Sequence, residues 1–354
     1  MVNFRSGLSL VVALAMTLTF WLAPLAARAA DQPRPLHVFI WSEYMDPEII
    51  SNFEKTHNVK VRMDYYESNE EMIAKLQSGL EGAYDIIIPS TYYIPTLINL
   101  KLIQPLDHKK LPNIVNLMPE FTQITVDPGN QYTVPYQWGT SGLVAHAETP
   151  PPASWKIVFE DKNPDNFLLF DTARDALGSA LKHLGYSMNT VDINEIKQAG
   201  DLLVATKKKP TFMGFDSGVG GLAKVIGQVA SIAQVYSGEA IKASKEEENI
   251  HYLIPEEGCE QWLDLLAIPK GAAHLDLAHE FLNYLMEPET AAKLASFNNY
   301  ATPNQKALAY IPEEDRNNPG MYPSEELKKK MEYFKDLGPN SRLYEETWTL
   351  VKSR

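Results

Sequence analysis

Two short runs in the first hundred residues mix aromatic rings with hydroxyls and a carboxylate: Trp41-Ser42-Glu43-Tyr44 and Pro89-Ser90-Thr91-Tyr92-Tyr93. Rings attract a cation through the face of the π system, and carboxylates and hydroxyls accept N–H donors, so the mixture suits an organic ammonium group. The second half carries matching pieces. Phe170-Asp171-Thr172-Ala173-Arg174-Asp175 is an acidic turn opening a helix, and Val235-Tyr236-Ser237-Gly238-Glu239 ends an apolar segment. Gln261-Trp262-Leu263-Asp264 opens a strand, and Asn299-Tyr300-Ala301-Thr302-Pro303 ends a helix. Each alone is more often a cap, a core aromatic or a surface acid. The repetition of ring plus acid at element ends carries the cation reading. A buried ammonium without a partner costs several kcal/mol, so a ligand with several separated charges needs carboxylates at the ends of a slot and rings along its walls. The acids in these runs are Glu43, Asp171, Asp175, Glu239 and Asp264.

Positioning these residues falls first to a β-α-β-α-β start. Leu36 to Trp41 reads as a buried strand, Pro47 to Thr56 has helical periodicity with proline in the first turn, and Val59 to Met63 alternates as a half-buried strand. Ser68-Asn69-Glu70-Glu71 is a capping box whose helix runs to about Gln77 and stops at Ser78-Gly79. Tyr84 to Ile88 is a strand stopped by Pro89. That order implies a mostly parallel sheet with helices on both faces, whose ligands sit outside the carboxyl ends of the strands. The Trp41 and Ser90 clusters follow two such ends and should face one crevice. Residues 126–137 read as a connection and Trp138 to His146 as a glycine-rich strand. A second α/β region runs from about Trp155 to Cys259, followed by a strand from Trp262 to Ile268 and an amphipathic helix from His274 to Met286. The last 45 residues read as polar and mostly helical, and there is no internal repeat.

Composition bounds the function. The 354 residues are 45% hydrophobic, enough for a large core in one large domain or two. Asp and Glu outnumber Lys and Arg 45 to 32, a formal charge of -13, which argues against general nucleic-acid binding and favours cations. Cys259 is the single cysteine, so an intramolecular disulfide, a cysteine metal cluster and a CxxC redox site are excluded. Arg5, the apolar run Leu8 to Leu25 and Ala27-Arg28-Ala29 describe a cleavable secretory signal over residues 1–29, with an uncleaved membrane anchor as the alternative. An exported chain works where ATP and nicotinamide cofactors are scarce, and no cofactor is expected.

Taken together and in order, these motifs resemble the extracytoplasmic binding proteins of polyamine ABC importers, the spermidine/putrescine-binding family. The likeness is carried by Trp41-Ser42-Glu43-Tyr44, Tyr65-Tyr66-Glu67-Ser68-Asn69-Glu70, Gly82-Ala83-Tyr84-Asp85, Pro89-Ser90-Thr91-Tyr92-Tyr93, Pro135-Tyr136-Gln137-Trp138-Gly139, Trp262-Leu263-Asp264 and Ala301-Thr302-Pro303-Asn304. It implies an α/β, two-lobed periplasmic binding protein (type II-like), each lobe a mostly parallel sheet flanked by helices, with the ligand in the interlobe cleft. It also implies discontinuous lobes, 30–140 with 263–309 and 143–259 with 312–354. The implied ligand-binding residues are Trp41, Ser42, Glu43, Tyr44, Ser90, Tyr92, Asp175, Tyr236, Glu239, Trp262, Asp264 and Tyr300. Three positions depart from the spermidine-binding pattern: Tyr236 stands in place of tryptophan, Asp175 in place of glutamate and Thr172 in place of aspartate, which removes a charge. Glu239 lies where putrescine-type relatives carry an acid, and a late glutamine contact falls near Phe334. The expected partners are a small cationic polyamine and a membrane permease, in a periplasmic monomer that closes like a hinged clamp, does no chemistry and binds no nucleic acid.

Other signals compete. Gly218-Val219-Gly220-Gly221-Leu222-Ala223 matches a dinucleotide fingerprint, but Phe212 to Ser217 makes a poor preceding strand; Asp216 beside it is a further cleft candidate. His274 and His279, five apart, do not share a helix face and make poor paired metal ligands. Glu43 with Asp264 as a glycosidase carboxylate pair is the alternative from enzyme chemistry. A binding protein of the same fold for an amino acid derivative, a sugar or an iron chelate is the other. Lys207-Lys208-Lys209 and Lys328-Lys329-Lys330 read as solvated faces.

Overall fold

The computed structural model describes residues 33–80, 82–160 and 165–354. The signal expected over residues 1–29 lies outside the described residues. Among the described residues nine strands form one sheet: β1 (Arg34–Trp41), β2 (Val59–Tyr66), β3 (Ile86–Ile87), β4 (Thr133–His146), β5 (Phe167–Phe170), β6 (Phe212–Asp216), β7 (Ile232–Tyr236), β8 (Ile250–Leu253) and β9 (Glu260–Ala267). Their order is β2-β1-β3-β9-β4-β7-β5-β6, with β8 also paired to β4. The α/β class and the opening β-α-β-α-β run are as expected. Parallel pairing is confined to the two ends, β2-β1-β3 and β7-β5-β6. Between them β4 and β9 run antiparallel to each other and to their neighbours, so the sheet as a whole is mixed.

Local sequence explains the elements that carry the site. Helix α1 (Pro47–His57) starts where the Asp46 side chain accepts the Glu48 N–H and Pro47 fills the first turn, and it ends at Asn58 in the left-handed region. Its Ile49 and Phe53 face the core. Helix α2 (Asn69–Lys75) opens on the predicted cap, with Ser68 Oγ accepting the Glu71 N–H at 3.1 Å, and the helical path stops at Gly79 with φ 88°.

The apolar interior divides along the chain. One group gathers Leu36, Val38, Ile40, Phe53, Ile86, Val134, Leu266 and Phe281; another gathers Leu143, Trp155, Phe167, Leu177, Leu203, Ile232 and Tyr344. Strand β4 supplies Val134 to the first and Leu143 to the second, so it passes from one core to the other. Each such side chain contributes about 1.5–3 kcal/mol by burial.

Two expectations need correction. The connection at 126–137 ends at Thr133, where β4 begins. Its start was hidden by Pro135, which has no N–H for the ladder and sits at a register shift between Pro135 and Gln137. Phe212–Asp216 is a strand after all, at the sheet edge and only half-buried, which is why it lacked a strong apolar signal. The last 45 residues are more than half helical, with one long helix, Ser341–Ser353, and short ones at Glu313–Arg316, Glu325–Lys328 and Gly338–Asn340. An extended piece there returns to the start of β9, where Gln261 N–H donates to Glu332 O at 2.9 Å.

Candidate functional site

Side chains two apart on a strand share a face, so β9 presents Glu260, Trp262 and Asp264 together. Opposite Trp262 on β4 stands Gly139. A Cβ there would lie 2.4 Å from Trp262 Cζ2, so the missing side chain is what lets the indole lie across the neighbouring strand. The Trp262 ring meets Tyr300 edge-on at 4.7 Å and 85° and Tyr236 at 6.5 Å and 89°. Tyr300 in turn meets Tyr44 at 5.9 Å. The Trp262 Nε1–H is buried and has no partner.

Asp264 is 8% exposed. Ser90 Oγ donates to its Oδ1 at 2.8 Å, and Asn69 braces Ser90, its Oδ1 accepting the Ser90 N–H at 3.0 Å. The Tyr44 hydroxyl lies close enough to stabilise the carboxylate, yet it is buried outside hydrogen-bonding geometry and has no partner. Burial pushes Asp264 up to about 7 against the opposing pull of Ser90 and Tyr44. No lysine or arginine ion pair involves this acid among the described residues.

Glu239 sits in the first turn of the helix Ser237–Glu246 and accepts the Tyr300 hydroxyl. Burial raises it, and the Glu43 carboxylate adds to the rise. Glu43 itself is exposed, on a turn just after β1 with φ 55°. The preceding Gly238 is required, because a Cβ there would lie 2.5 Å from the Tyr300 ring.

The third acidic position holds a residue that the sequence reading missed. Asp175 and Glu260 are 8% and 6% exposed, and their carboxyls lie within hydrogen-bonding reach of each other. Thr172 caps the helix Ala173–His183 and donates its hydroxyl to Asp175, while Ser141 Oγ donates to Glu260 Oε2 at 2.5 Å. Burial raises both acids, and mutual repulsion raises Glu260 further. Tyr236 and Tyr92 stand over the pair: after burial, the fields of Asp175 and Glu260 are among the causes raising both phenols. Phe334 meets the Tyr92 ring edge-on at 6.2 Å. The alternation Glu260, Trp262, Asp264 was the available signal for Glu260.

The remaining predicted residues lie toward the rim. Trp41 spends its Nε1–H on Ile88 O at 3.0 Å and packs on Tyr66, and Ser42 Oγ donates to Glu67 at 2.9 Å. Asp216 is held by Lys224 at 2.5 Å. The glycine fingerprint is occupied by its own chain: Ser217 caps the Gly220 N–H and the Asp216 carboxylate lies 2.4 Å from where a Cβ of Gly220 would stand. A carboxylate where the fingerprint requires a pyrophosphate rules out that use. His274 binds Asp85 and His279 accepts the Asp107 N–H, each a structural contact. Among the described residues no group of three His, Cys, Asp or Glu side chains could hold a metal ion, and no helix is long and apolar enough to cross a membrane.

A family model of bacterial extracellular solute-binding proteins matches residues 48–322. The spermidine/putrescine-binding periplasmic protein of Salmonella typhimurium is 35% identical over 331 residues, covering 93% of this chain and 94% of the relative. The putrescine-binding periplasmic protein SpuD of Pseudomonas aeruginosa is 34% identical over 362 residues, 96% of this chain and 97% of the relative. Among solved structures, the spermidine/putrescine ABC transporter substrate-binding protein PotD of Streptococcus pneumoniae superposes with a TM-score of 0.82 at 31% identity, covering 90% of this chain and 99% of that one.

Proposed function

This chain belongs to the family of bacterial extracellular solute-binding proteins, and on that premise we propose that it captures a linear polyamine of the spermidine/putrescine class and delivers it to a membrane permease. The observation that carries this reading is a set of acids with no ion-paired base among the described residues, the buried Asp264 and Asp175–Glu260 pair and the half-buried Glu239, walled by the rings of Tyr44, Trp262, Tyr236 and Tyr300. Acids buried in this way are unfavourable in the empty protein and become favourable once ammonium groups pair with them. Methylene segments between those groups would lie against the rings. The unpartnered Tyr44 hydroxyl is placed to accept a further N–H.

The two apolar cores support lobes at about 30–140 with 263–309 and 143–259 with 312–354, with β4 and β9 as the crossing strands. Asp264 and Ser90 fall to the first lobe, and Asp175, Tyr236, Glu239 and Glu260 to the second or its boundary. Ligand contacts drawn from both sides favour the closed arrangement and shift the population toward it. The protein then acts in the periplasm as a monomeric carrier, with no chemistry of its own and no nucleic-acid partner; energy for transport comes from other subunits. The test is calorimetric titration with putrescine, cadaverine, spermidine and spermine after unfolding and refolding to remove copurified ligand. Tight binding to at least one is expected. A folded protein that gives no heat with any of them refutes the assignment.

A further inference from the structure

We propose that Asp175 and Glu260 share a proton in the empty cleft and that an arriving ammonium group displaces it, so capture at this end exchanges one proton for one cation. This rests on the polyamine reading above and adds to it a residue, Glu260, and a proton.

The geometry is that of two carboxyls held together out of water. Glu260 is fixed by the β9 backbone and by Ser141, and Asp175 by the first turn of its helix and by Thr172. Two such groups in contact cannot both ionise without a cation between or beside them. The charged and titratable groups around them do not supply one. Arg174, next in the chain, turns its guanidinium to Lys335 O, Asn189 and the face of Phe334, and its pull on both acids ranks below the effect of burial. Lys182, on the same helix, is bound to Glu332 at 3.0 Å. Cys259, Tyr92 and Tyr236 are neutral neighbours with raised values of their own, and Glu239 is another acid. On the same face of β9 as Glu260 the Trp262 Nε1–H is buried and unpartnered, and so is the Tyr44 hydroxyl, polar atoms left for a ligand to meet. When the ammonium arrives it forms N–H bonds to both carboxylates and the shared proton leaves to solvent, so the cation takes the proton's place and the net charge of the group stays at about −1.

The experiment compares proton release on binding in the wild type, Glu260→Gln and Asp175→Asn. Binding heats of putrescine and of spermidine are measured at about pH 8 in two buffers of different ionisation enthalpy. Asp264, near 7, is then already mostly ionised. Using the same amine for each protein cancels proton uptake by the ligand. The wild type should release up to one proton more than either variant, and its affinity should rise more steeply with pH than theirs. Two variants are used so that a folding defect in one leaves the other to decide. Equal release in wild type and variants overturns the proton exchange while leaving polyamine binding intact; absence of heat with every amine overturns both.

Discussion

Gly139 on β4 and Trp262 on β9 are register partners, and the indole fills the space in which any side chain at 139 would stand, 2.4 Å from Cζ2. A backbone position thus sets the orientation of a cleft ring. Gly139→Ala should push the indole off its seat, with the 1–3 kcal/mol penalty typical of overpacking, roughly, divided between stability and ligand affinity. Tryptophan fluorescence and titration would follow it. In a Trp262→Ala background the penalty should shrink to the part imposed by Ser237 Oγ, which lies 2.7 Å from the same Cβ position; an undiminished penalty there contradicts the account.

Asp264→Asn should weaken polyamine binding by about 1.5–3 kcal/mol, the value of a charge-assisted hydrogen bond. In the empty protein the sign reverses. The native carboxyl, raised to about 7 by burial, holds a proton that the unfolded chain releases near its ordinary value of 3.8. Stability of the ligand-free wild type therefore falls as pH rises through that window and levels off above it, a loss of about 4 kcal/mol in all. The asparagine variant lacks this slope. Thermal melts of refolded, ligand-free protein at about pH 5 and pH 8 should show the variant gaining on the wild type at the higher pH.

Tyr300→Phe removes the hydroxyl that Glu239 accepts while keeping the ring that Trp262 meets. The carboxylate loses a donor that stabilises its charged form, so Glu239 should move still higher and bind an ammonium less well at neutral pH. Affinity should drop by roughly 1–3 kcal/mol, recovering partly as pH rises. A pH-independent loss would point instead to repacking of the ring.

Ionic strength should matter. Acids matched to a multiply charged ligand in a chain of net charge -13 imply slower association and weaker binding as salt increases. Stopped-flow and titration at low and high salt should show the effect mainly in the on-rate, and Glu239→Gln should flatten it. A salt-insensitive affinity would favour a neutral solute such as a sugar.

Much of the architecture was legible in the chain. The helix start at Pro47, the cap at Ser68, the stop at Gly79 and the first three strands follow from local rules, because turn and cap chemistry depends on near neighbours. The start of β4 was not, because Pro135 and its register shift look like a turn when the partner strand is unseen. Edge strand β6 was missed for a related reason: half-buried strands have no need of a strong apolar run.

The site divides in the same way. Residue types alone pointed to a cation: rings, hydroxyls and acids recurring at element ends describe what the ligand must be, since chemistry of recognition depends on which groups are present. How those groups are arranged was decided by the tertiary structure. Glu260 looked like one more acid before a strand until pairing with β4 and closure against the Thr172 turn drew it out of water beside Asp175. Ser42 looked equivalent to Ser90, yet one faces Glu67 at the surface and the other braces Asp264. Burial and long-range proximity are properties of the assembled sheet, and they decide which acids are left waiting for a partner.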